Sequence, residues 1–152
     1  MATVDQTMMK VQRLLTGPMG LKISLAGETF SVRFQDASTS VQLRVQDWGK
    51  DKEGEPRTLV LISSLILKQV KPTPELFEWV ARQGGTKWFG HVEVYDDSSL
   101  PGTVFLIFSH TLLGDYLDEK ELESAMYAVL STADTWDDEL LAKFGGKRWL
   151  DS

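Results

Sequence analysis

The 152-residue sequence predicts an α+β fold in which a mainly antiparallel sheet packs against helices. Three observations predict this class. Two early segments alternate apolar and polar residues, two later segments are apolar on both faces, and three segments repeat apolar residues at helical spacing. The order of these segments is α-β-β-β-α-β-β-α, with neither a repeat nor a linker between them. We therefore expect one domain over residues 1–152.

The first two predicted helices have clear boundaries. The first runs from Thr3 to about Thr16, and the glycine and proline that follow stop it. The second begins after Thr73, a plausible N-cap, because Pro74 suits the first helical position. It ends at two consecutive glycines, Gly84 and Gly85, which suit a helix C-terminus.

The third predicted helix is the longest and runs continuously from about Asp118 to Phe144. Asp118 followed by Glu121 resembles a capping box, and Gly145 follows the last turn. Its predicted buried stripe is Leu122, Met126, Val129, Ala133, Trp136 and Leu140.

Five strands are predicted. Thr29–Gln35 and Ser40–Gln46 alternate apolar and polar residues and form a hairpin with one polar face. A charged loop precedes the third strand, within Thr58–Val70, and the fourth and fifth strands are Trp88–Tyr95 and Thr103–His110. The third and fifth are apolar on both faces, which favours central positions in the sheet.

Charge and composition exclude several classes of protein. The net charge is −6 and the pI about 4.9, which disfavours binding to nucleic acids and to anionic membranes. The chain has no cysteine and therefore no disulfide or thiolate ligand. Neither a secretory signal nor a membrane-length apolar segment is visible, so we expect a cytoplasmic protein.

A cluster of carboxylates lies near the end of the third helix. Asp134, Asp137 and Asp138 share one side of this helix and are a candidate cation site. Helix side chains alone rarely supply the six oxygens that calcium needs, and Lys143 lies within reach as a partner. We therefore favour a solvated helix face and expect no metal.

The sequence contains no recognisable catalytic motif. His91 and His110 lie on the last two predicted strands and are the candidate catalytic or metal-binding imidazoles. Ser109 precedes His110 directly, but neighbours on a strand point to opposite faces and cannot form a dyad. Because phosphate-loop, dinucleotide and zinc-hydrolase motifs are also missing, we expect neither enzymatic activity nor a cofactor.

The candidate binding residues are Arg33, Arg44, Trp48 and Trp88. The first three alternate along the polar face of the predicted hairpin, and arginine and tryptophan often dominate binding energy. The simpler alternative is a solvated face with Trp48 folded over the sheet edge. A second candidate docking surface is the first helix around Met8 and Met9, although at least one of these methionines is expected in the core.

The C-terminal third of the sequence resembles actinobacterial YbjN-domain proteins. In that family a Leu-Asp-x-x-Glu-Leu helix start is followed by Ala-Asp-x-x-Asp-Asp-Glu-Leu and by Phe-Gly-Gly. The matching residues here are Leu117, Asp118, Glu121, Leu122, Ala133, Asp134, Asp137–Leu140 and Phe144–Gly146. The order of elements also resembles the fold that YbjN proteins share with type III secretion chaperones such as CesT.

The resemblance implies a type III secretion chaperone-like fold and a cytoplasmic, non-catalytic module that binds a protein or peptide. Many chaperones of this fold are homodimers. A second hypothesis is a regulatory or structural homodimer whose sheet face is buried in self-association. The third is a hydrolase-type enzyme that uses His91 or His110.

Overall fold

The computed structural model describes residues 2–151, which form three helices and a six-stranded antiparallel sheet. The helices are α1 (Val4–Thr16), α2 (Pro74–Gln83) and α3 (Glu119–Phe144), and a 3-10 turn spans Trp149–Asp151. The strands are β1 (Ile23–Ala26), β2 (Thr29–Arg33), β3 (Ser40–Lys50), β4 (Pro56–Val70), β5 (His91–Asp96) and β6 (Val104–Leu113). Across the sheet their order is β1-β2-β3-β4-β6-β5. This arrangement confirms the α+β class and the inner positions of the two strands that are apolar on both faces.

One strand was missing from the sequence prediction. β1 pairs with β2 through a tight turn, so that Ala26 lies opposite Thr29 and Ile23 opposite Val32. The turn includes Gly27, whose φ of 63° suits glycine. β1 has only four residues and is largely exposed, so its own hydrophobic pattern is weak. The observed order is therefore α-β-β-β-β-α-β-β-α.

Several predicted strand boundaries were wrong. β3 and β4 extend towards each other as far as Lys50 and Pro56, because their backbones stay paired where the sequence is charged. β2 ends at Arg33, so Phe34 leaves the sheet and enters a loop. β5 starts at His91, after Gly90 turns the chain with a φ of 84°. Trp88 therefore precedes the strand in which the sequence placed it.

The three helices begin and end where their sequences predict. The Asp118 carboxylate accepts a hydrogen bond from the backbone N–H of Glu121 at 2.8 Å. The Thr73 hydroxyl accepts one from the backbone N–H of Leu76 at 3.2 Å. All six residues of the predicted α3 stripe are buried. Long helices in proteins depend mainly on such a buried face, which explains why α3 remains continuous over 26 residues.

The core lies on one face of the sheet. Val60 and Ile62 of β4 and Leu106 and Phe108 of β6 are buried beneath the helices. The alternate residues of the same strands point to the opposite face and are only half-buried. Among residues 2–151, α1, α2 and α3 all pack on the core face, so the opposite face of the sheet is open apart from the C-terminal turn, where Trp149 packs on Arg33.

The C-terminal segment returns to the sheet after α3. Lys147 exchanges two backbone hydrogen bonds with Lys68 of β4, at 2.8 and 2.9 Å. At this point β4 extends beyond its pairing with β3, which ends at Gln42 opposite Ser63. Trp149 then lies under the guanidinium of Arg33, with 4.7 Å between the guanidinium carbon and the ring centroid.

Candidate binding site

The open sheet face is the surface formed by the outward residues of β2 to β6. Its apolar residues come from β4 and β6, where cross-strand pairing places Leu65 beside Ile107 and Leu59 beside Leu113, with the polar pair Ser63 and Ser109 between them. Phe105 stacks on Tyr95 of β5 with 5.5 Å between ring centroids. Apolar side chains that remain part-exposed on the face of a sheet are typical of a surface that another chain covers.

Two of the predicted binding residues lie along one side of this face. Arg44 stands opposite Thr29 on one side and Leu61 on the other, and it donates a hydrogen bond to the Gln46 side chain at 3.0 Å. Arg33 is exposed on the same face, opposite Ser40. The sequence therefore predicted correctly that the two arginines share a face.

Trp48 lies at the far end of β3, beyond Arg44, and is 46% exposed. Its ring packs against the guanidinium of Arg57, with 4.3 Å between the guanidinium carbon and the ring centroid. Arg57 is the residue of β4 that alternates with Leu59 on the open sheet face. The contact agrees with a Trp48 side chain folded over the sheet while leaving part of its ring available.

Trp88 is not part of the open sheet face. It belongs to the turn between α2 and β5 and is 99% exposed. The next residue, Phe89, packs instead against His110, with 5.1 Å between ring centroids. The predicted grouping of Trp88 with the two arginines and Trp48 is therefore wrong, since the strand begins only at His91.

A polar cluster on β5 and β6 completes the open sheet face. The Glu93 carboxylate accepts hydrogen bonds from the hydroxyls of Tyr95 and Ser109, and it lies 3.3 Å from Nε2 of His91. The hydrogen bond to Glu93 raises the pKa of Tyr95 above its usual value. Between this cluster and Arg44 lies a depression of about 290 Å³. The polar cluster could not be predicted from the sequence, although His91, Glu93 and Tyr95 alternate along one strand, because the pairing with Ser109 depends on the register of β5 and β6.

The arrangement of serine and histidine does not resemble a catalytic dyad. Ser109 bonds to Glu93 on the open sheet face, whereas His110 points to the other side of β6 and contacts Phe89. Burial lowers the pKa of His110, and the nearby His91 lowers it further. This geometry confirms that neighbouring Ser109 and His110 point apart.

The carboxylates of α3 differ in their surroundings. Asp137 is buried, which contradicts the predicted solvated face for this residue, because the Ser38 hydroxyl of the β2–β3 loop bonds to both Asp134 and Asp137. Burial raises the pKa of Asp137, and the neighbouring Asp138 and Asp134 raise it further. Asp138 is exposed and pairs with Arg148 at 2.7 Å.

The predicted lysine partner was wrong, since Lys143 pairs with Glu139 at 3.2 Å rather than with Asp137 or Asp138. Within the described part of the chain, no group of three or more histidine or acidic residues is arranged to hold a metal ion. Of the two methionines on α1, Met8 packs against the core and Met9 is 71% exposed.

The sequence match identifies the family. An all-antiparallel sheet with the helices on one face defines a two-layer α+β module. Residues 10–152 match the family described as type III secretion system (YopN, CesT) and YbjN peptide-binding chaperone 1. Because the match spans nearly the whole sequence, the chain belongs to this family of peptide-binding chaperones. This confirms the resemblance to YbjN proteins and secretion chaperones seen in the sequence.

A solved structure has a similar fold. The crystal structure of the ExsC-ExsE complex contains a chain that matches 86% of this chain over 93% of its own length. The TM-score is 0.56 and the sequence identity 22%, so the likeness concerns the fold. Among curated protein sequences no significant match was found. In residues 2–151, none of the helices is both long enough and apolar enough to cross a membrane.

Proposed function

We propose that the protein is a non-catalytic, cytoplasmic chaperone-like module that binds a protein or peptide on its open sheet face. Membership of a peptide-binding chaperone family supports this role. The similar fold in the ExsC-ExsE complex, by its name an assembly of two proteins, agrees with it. Neither a metal nor another cofactor has a role in this function.

The observation that carries the proposal is the composition of the open sheet face. Leu65 with Ile107 and Leu59 with Leu113 form two apolar groups that α1, α2 and α3 leave uncovered, and the paired serines Ser63 and Ser109 lie between them. Arg44 and Arg33, whose guanidinium stacks on Trp149, stand beside this surface and supply cationic groups that suit peptide carboxylates. An extended segment that alternates apolar and acidic side chains would place both kinds of contact on this face.

Trp48 and Trp88 would contribute to partner binding in different ways. Trp48 closes one end of the open sheet face through its contact with Arg57 and adds aromatic area there. Trp88 lies outside this face, so any contact it makes with a partner would be separate. Its 99% exposure makes it a docking candidate that can be tested without disturbing the core.

Capture of partners from a lysate of the native host tests the proposal. The protein is immobilised, and Arg44→Glu and Trp48→Ala are compared with the parent. We expect both variants to fold normally and to lose the captured partner. The matched control is Lys71→Glu, an equal charge reversal at an exposed residue between β4 and α2. Equal partner recovery by Arg44→Glu and by Lys71→Glu would contradict docking on the open sheet face.

A second candidate function is a homodimer that buries the same face. The part-exposed apolar pairs on this face support this alternative because a second copy would cover them as well as a peptide would. Light scattering over a range of protein concentrations distinguishes the two. A dimer that Arg44→Glu converts to monomer supports self-association, whereas a monomer whose partner is lost in that variant supports peptide binding.

The enzyme alternative has less support, since Ser109 and His110 lie on opposite faces of β6. We expect His110→Ala, on the core side of β6, to leave partner recovery unchanged. A hydrolytic activity that depends on His91 or His110 would contradict the proposal of a non-catalytic module.

A further inference from the structure

We propose that a second peptide site, selective for a basic side chain next to an apolar one, lies between the β2–β3 loop and α3. We call it the loop cleft, and its principal residues are Phe34, Asp36, Ala37, Tyr127, Leu130 and Asp134. It lies apart from the open sheet face and carries the opposite charge. The inference rests on the proposed function only in taking its ligand to be a peptide.

The walls of the loop cleft are apolar and aromatic. Phe34 and Tyr127 pack together as one aromatic wall, with ring centroids 5.5 Å apart and planes inclined by 57°. Leu130 is 7% exposed at the base, and Tyr127 is 46% exposed towards solvent. The cleft has a volume of about 450 Å³, which suits one or two peptide side chains.

The cleft is formed before any ligand arrives. The backbone N–H of Ser38 donates to Asp134 of α3 at 2.7 Å, and the Ser38 hydroxyl bonds to both Asp134 and Asp137. The next loop residue, Thr39, is almost completely buried. These contacts fix the loop against a helix whose own buried stripe fixes it to the sheet. A preformed site loses little conformational entropy when it binds.

The loop cleft carries negative charge that favours a cationic ligand. Asp36 is exposed, and Asp134 bonds only to Ser38. Neither carboxylate forms an ion pair with a described lysine, arginine or histidine. Their neighbours on α3 differ, because Asp138 pairs with Arg148 and Glu139 with Lys143. The two carboxylates therefore leave a negative field that complements a positive side chain.

The aromatic wall strengthens this selectivity. The faces of Phe34 and Tyr127 attract a guanidinium or ammonium group through cation–π contacts. They also provide area for the apolar residue beside the cation. An acidic side chain would face repulsion from Asp36 and Asp134. The cleft therefore selects a basic and apolar pair within an extended peptide.

Chemical-shift mapping on the isotope-labelled full chain tests the inference. The probe is the peptide acetyl-Gly-Ser-Leu-Arg-Phe-Arg-Leu-Ser-Gly-amide, and the matched probe carries glutamate in place of both arginines. We expect the arginine peptide to shift amide resonances of residues 34–38 and 127–134. The glutamate peptide should leave these unchanged and shift resonances of the open sheet face instead.

Three variants separate the loop cleft from the fold and from the other site. Tyr127→Ala removes a part-exposed ring and should weaken binding of the arginine peptide by about fivefold, since a surface cation–π contact contributes about 1 kcal/mol. Asp36→Asn should weaken binding of the arginine peptide at low ionic strength, and this difference from the parent should disappear at high salt. Arg44→Glu, on the open sheet face, should leave binding of the arginine peptide unchanged.

Three outcomes would contradict the proposal that the loop cleft binds a basic peptide. They are equal binding of both peptides, shifts of the arginine peptide confined to the open sheet face, and no binding of the arginine peptide. In each case, the proposed function would still be supported if the glutamate peptide binds to the parent and Arg44→Glu abolishes that binding. Failure of the glutamate peptide alone would count against docking on the open sheet face and leave the loop cleft intact.

Discussion

Asp97 holds Gln69 in an unusual backbone conformation. The Asp97 carboxylate accepts a hydrogen bond from the backbone N–H of Gln69 at 2.9 Å. Gln69 is the one non-glycine residue with positive φ among residues 2–151, at 54°. It lies where the pairing of β4 and β6 is irregular, between Leu67 and Val70. The side chain of a loop residue thus replaces the ladder contact that the irregular strand cannot make.

Replacing Asp97 by alanine should destabilise the fold. The variant leaves the backbone N–H groups of the half-buried Gln69 and of Ser99 without their charged acceptor, the buried Asp97 carboxylate. We expect the melting temperature to fall by about 3–6 °C, the range for loss of a charge-assisted hydrogen bond in a protein of this size. The exposed neighbour Asp96→Ala is the control, and equal melting of the two variants would contradict the role of Asp97.

The same carboxylate gives an acid-sensitive contribution to stability. Hydrogen bonds from Ser99, followed by the N–H of Gln69, hold the pKa of Asp97 below its usual value. The contribution is therefore complete above the unfolded pKa of about 3.9 and is lost as pH falls through the folded pKa. Thermal melts of the parent and Asp97→Asn should converge in acid. A constant difference down to the lowest pH would contradict this.

Asp137 should have the opposite pH dependence. Burial, with the charges of Asp138 and Asp134, raises its pKa, so the folded protein favours the protonated carboxyl. Its contribution is complete below about pH 3.9 and is lost as pH rises through the raised folded pKa. Asp137→Asn imitates the neutral form and should match or exceed the parent in stability near neutral pH. Marked loss of stability in Asp137→Asn at neutral pH would show that the charged form is required.

Gly114 lies too close to β4 and α1 to accept a side chain. A methyl group on Gly114 would lie 2.3 Å from the Thr58 hydroxyl oxygen and 2.9 Å from the Thr7 methyl carbon. These two threonines share a buried hydrogen bond of 2.7 Å between their hydroxyls. Gly114→Ala should therefore lower the free energy of unfolding by about 1–3 kcal/mol. The control is Gly85→Ala, which meets no atom within 4 Å, and similar denaturation midpoints for both would contradict the prediction.

Leu122 tests the buried stripe of α3. It is fully buried, and Leu122→Ala should cost about 2–5 kcal/mol through lost contacts and the cavity left behind. Ser124→Ala, on the exposed side of the same helix, should change stability little. Denaturant titration of both variants measures the difference, and a Leu122→Ala midpoint equal to that of Ser124→Ala would show that the stripe does not stabilise the fold.

We expect Asp134, Asp137 and Asp138 to bind no metal tightly. The Ser38 hydroxyl already occupies the space between the first two, and Arg148 neutralises the third. Calorimetric titration with calcium, magnesium, manganese and zinc is the measurement. A stoichiometric site that Asp137→Ala abolishes would contradict this expectation.

The helices could be predicted from sequence because their signals are local. Asp118 and Gly145 bound a long apolar stripe, and the structure places both ends there. The open sheet face was partly predictable, since Arg33 and Arg44 lie on paired strands joined by a short loop. Their shared face follows from alternation once that hairpin is assumed.

Contacts between distant segments could not be predicted. Ser38 lies almost a hundred residues before Asp137, so nothing near the aspartate indicates that it is buried. Glu93 bonds to Ser109 only because of the register of β5 and β6. Trp88 was misplaced for a different reason. An apolar pair precedes Gly90, and only the positive φ of that glycine separates the pair from the strand.

The return of Lys147 to β4 has a consequence for handling the protein in solution. Without the segment from Lys147 onwards, the backbone N–H and C=O of Lys68 would be unpaired on the edge of β4 that β3 leaves uncovered, beside the buried residues Ile66, Leu67 and Val70. Such an edge invites pairing with other chains. A chain truncated after Gly146 should therefore aggregate at high protein concentration even if its core remains folded. The reason is that Lys147 shields this edge of β4 from pairing with other chains.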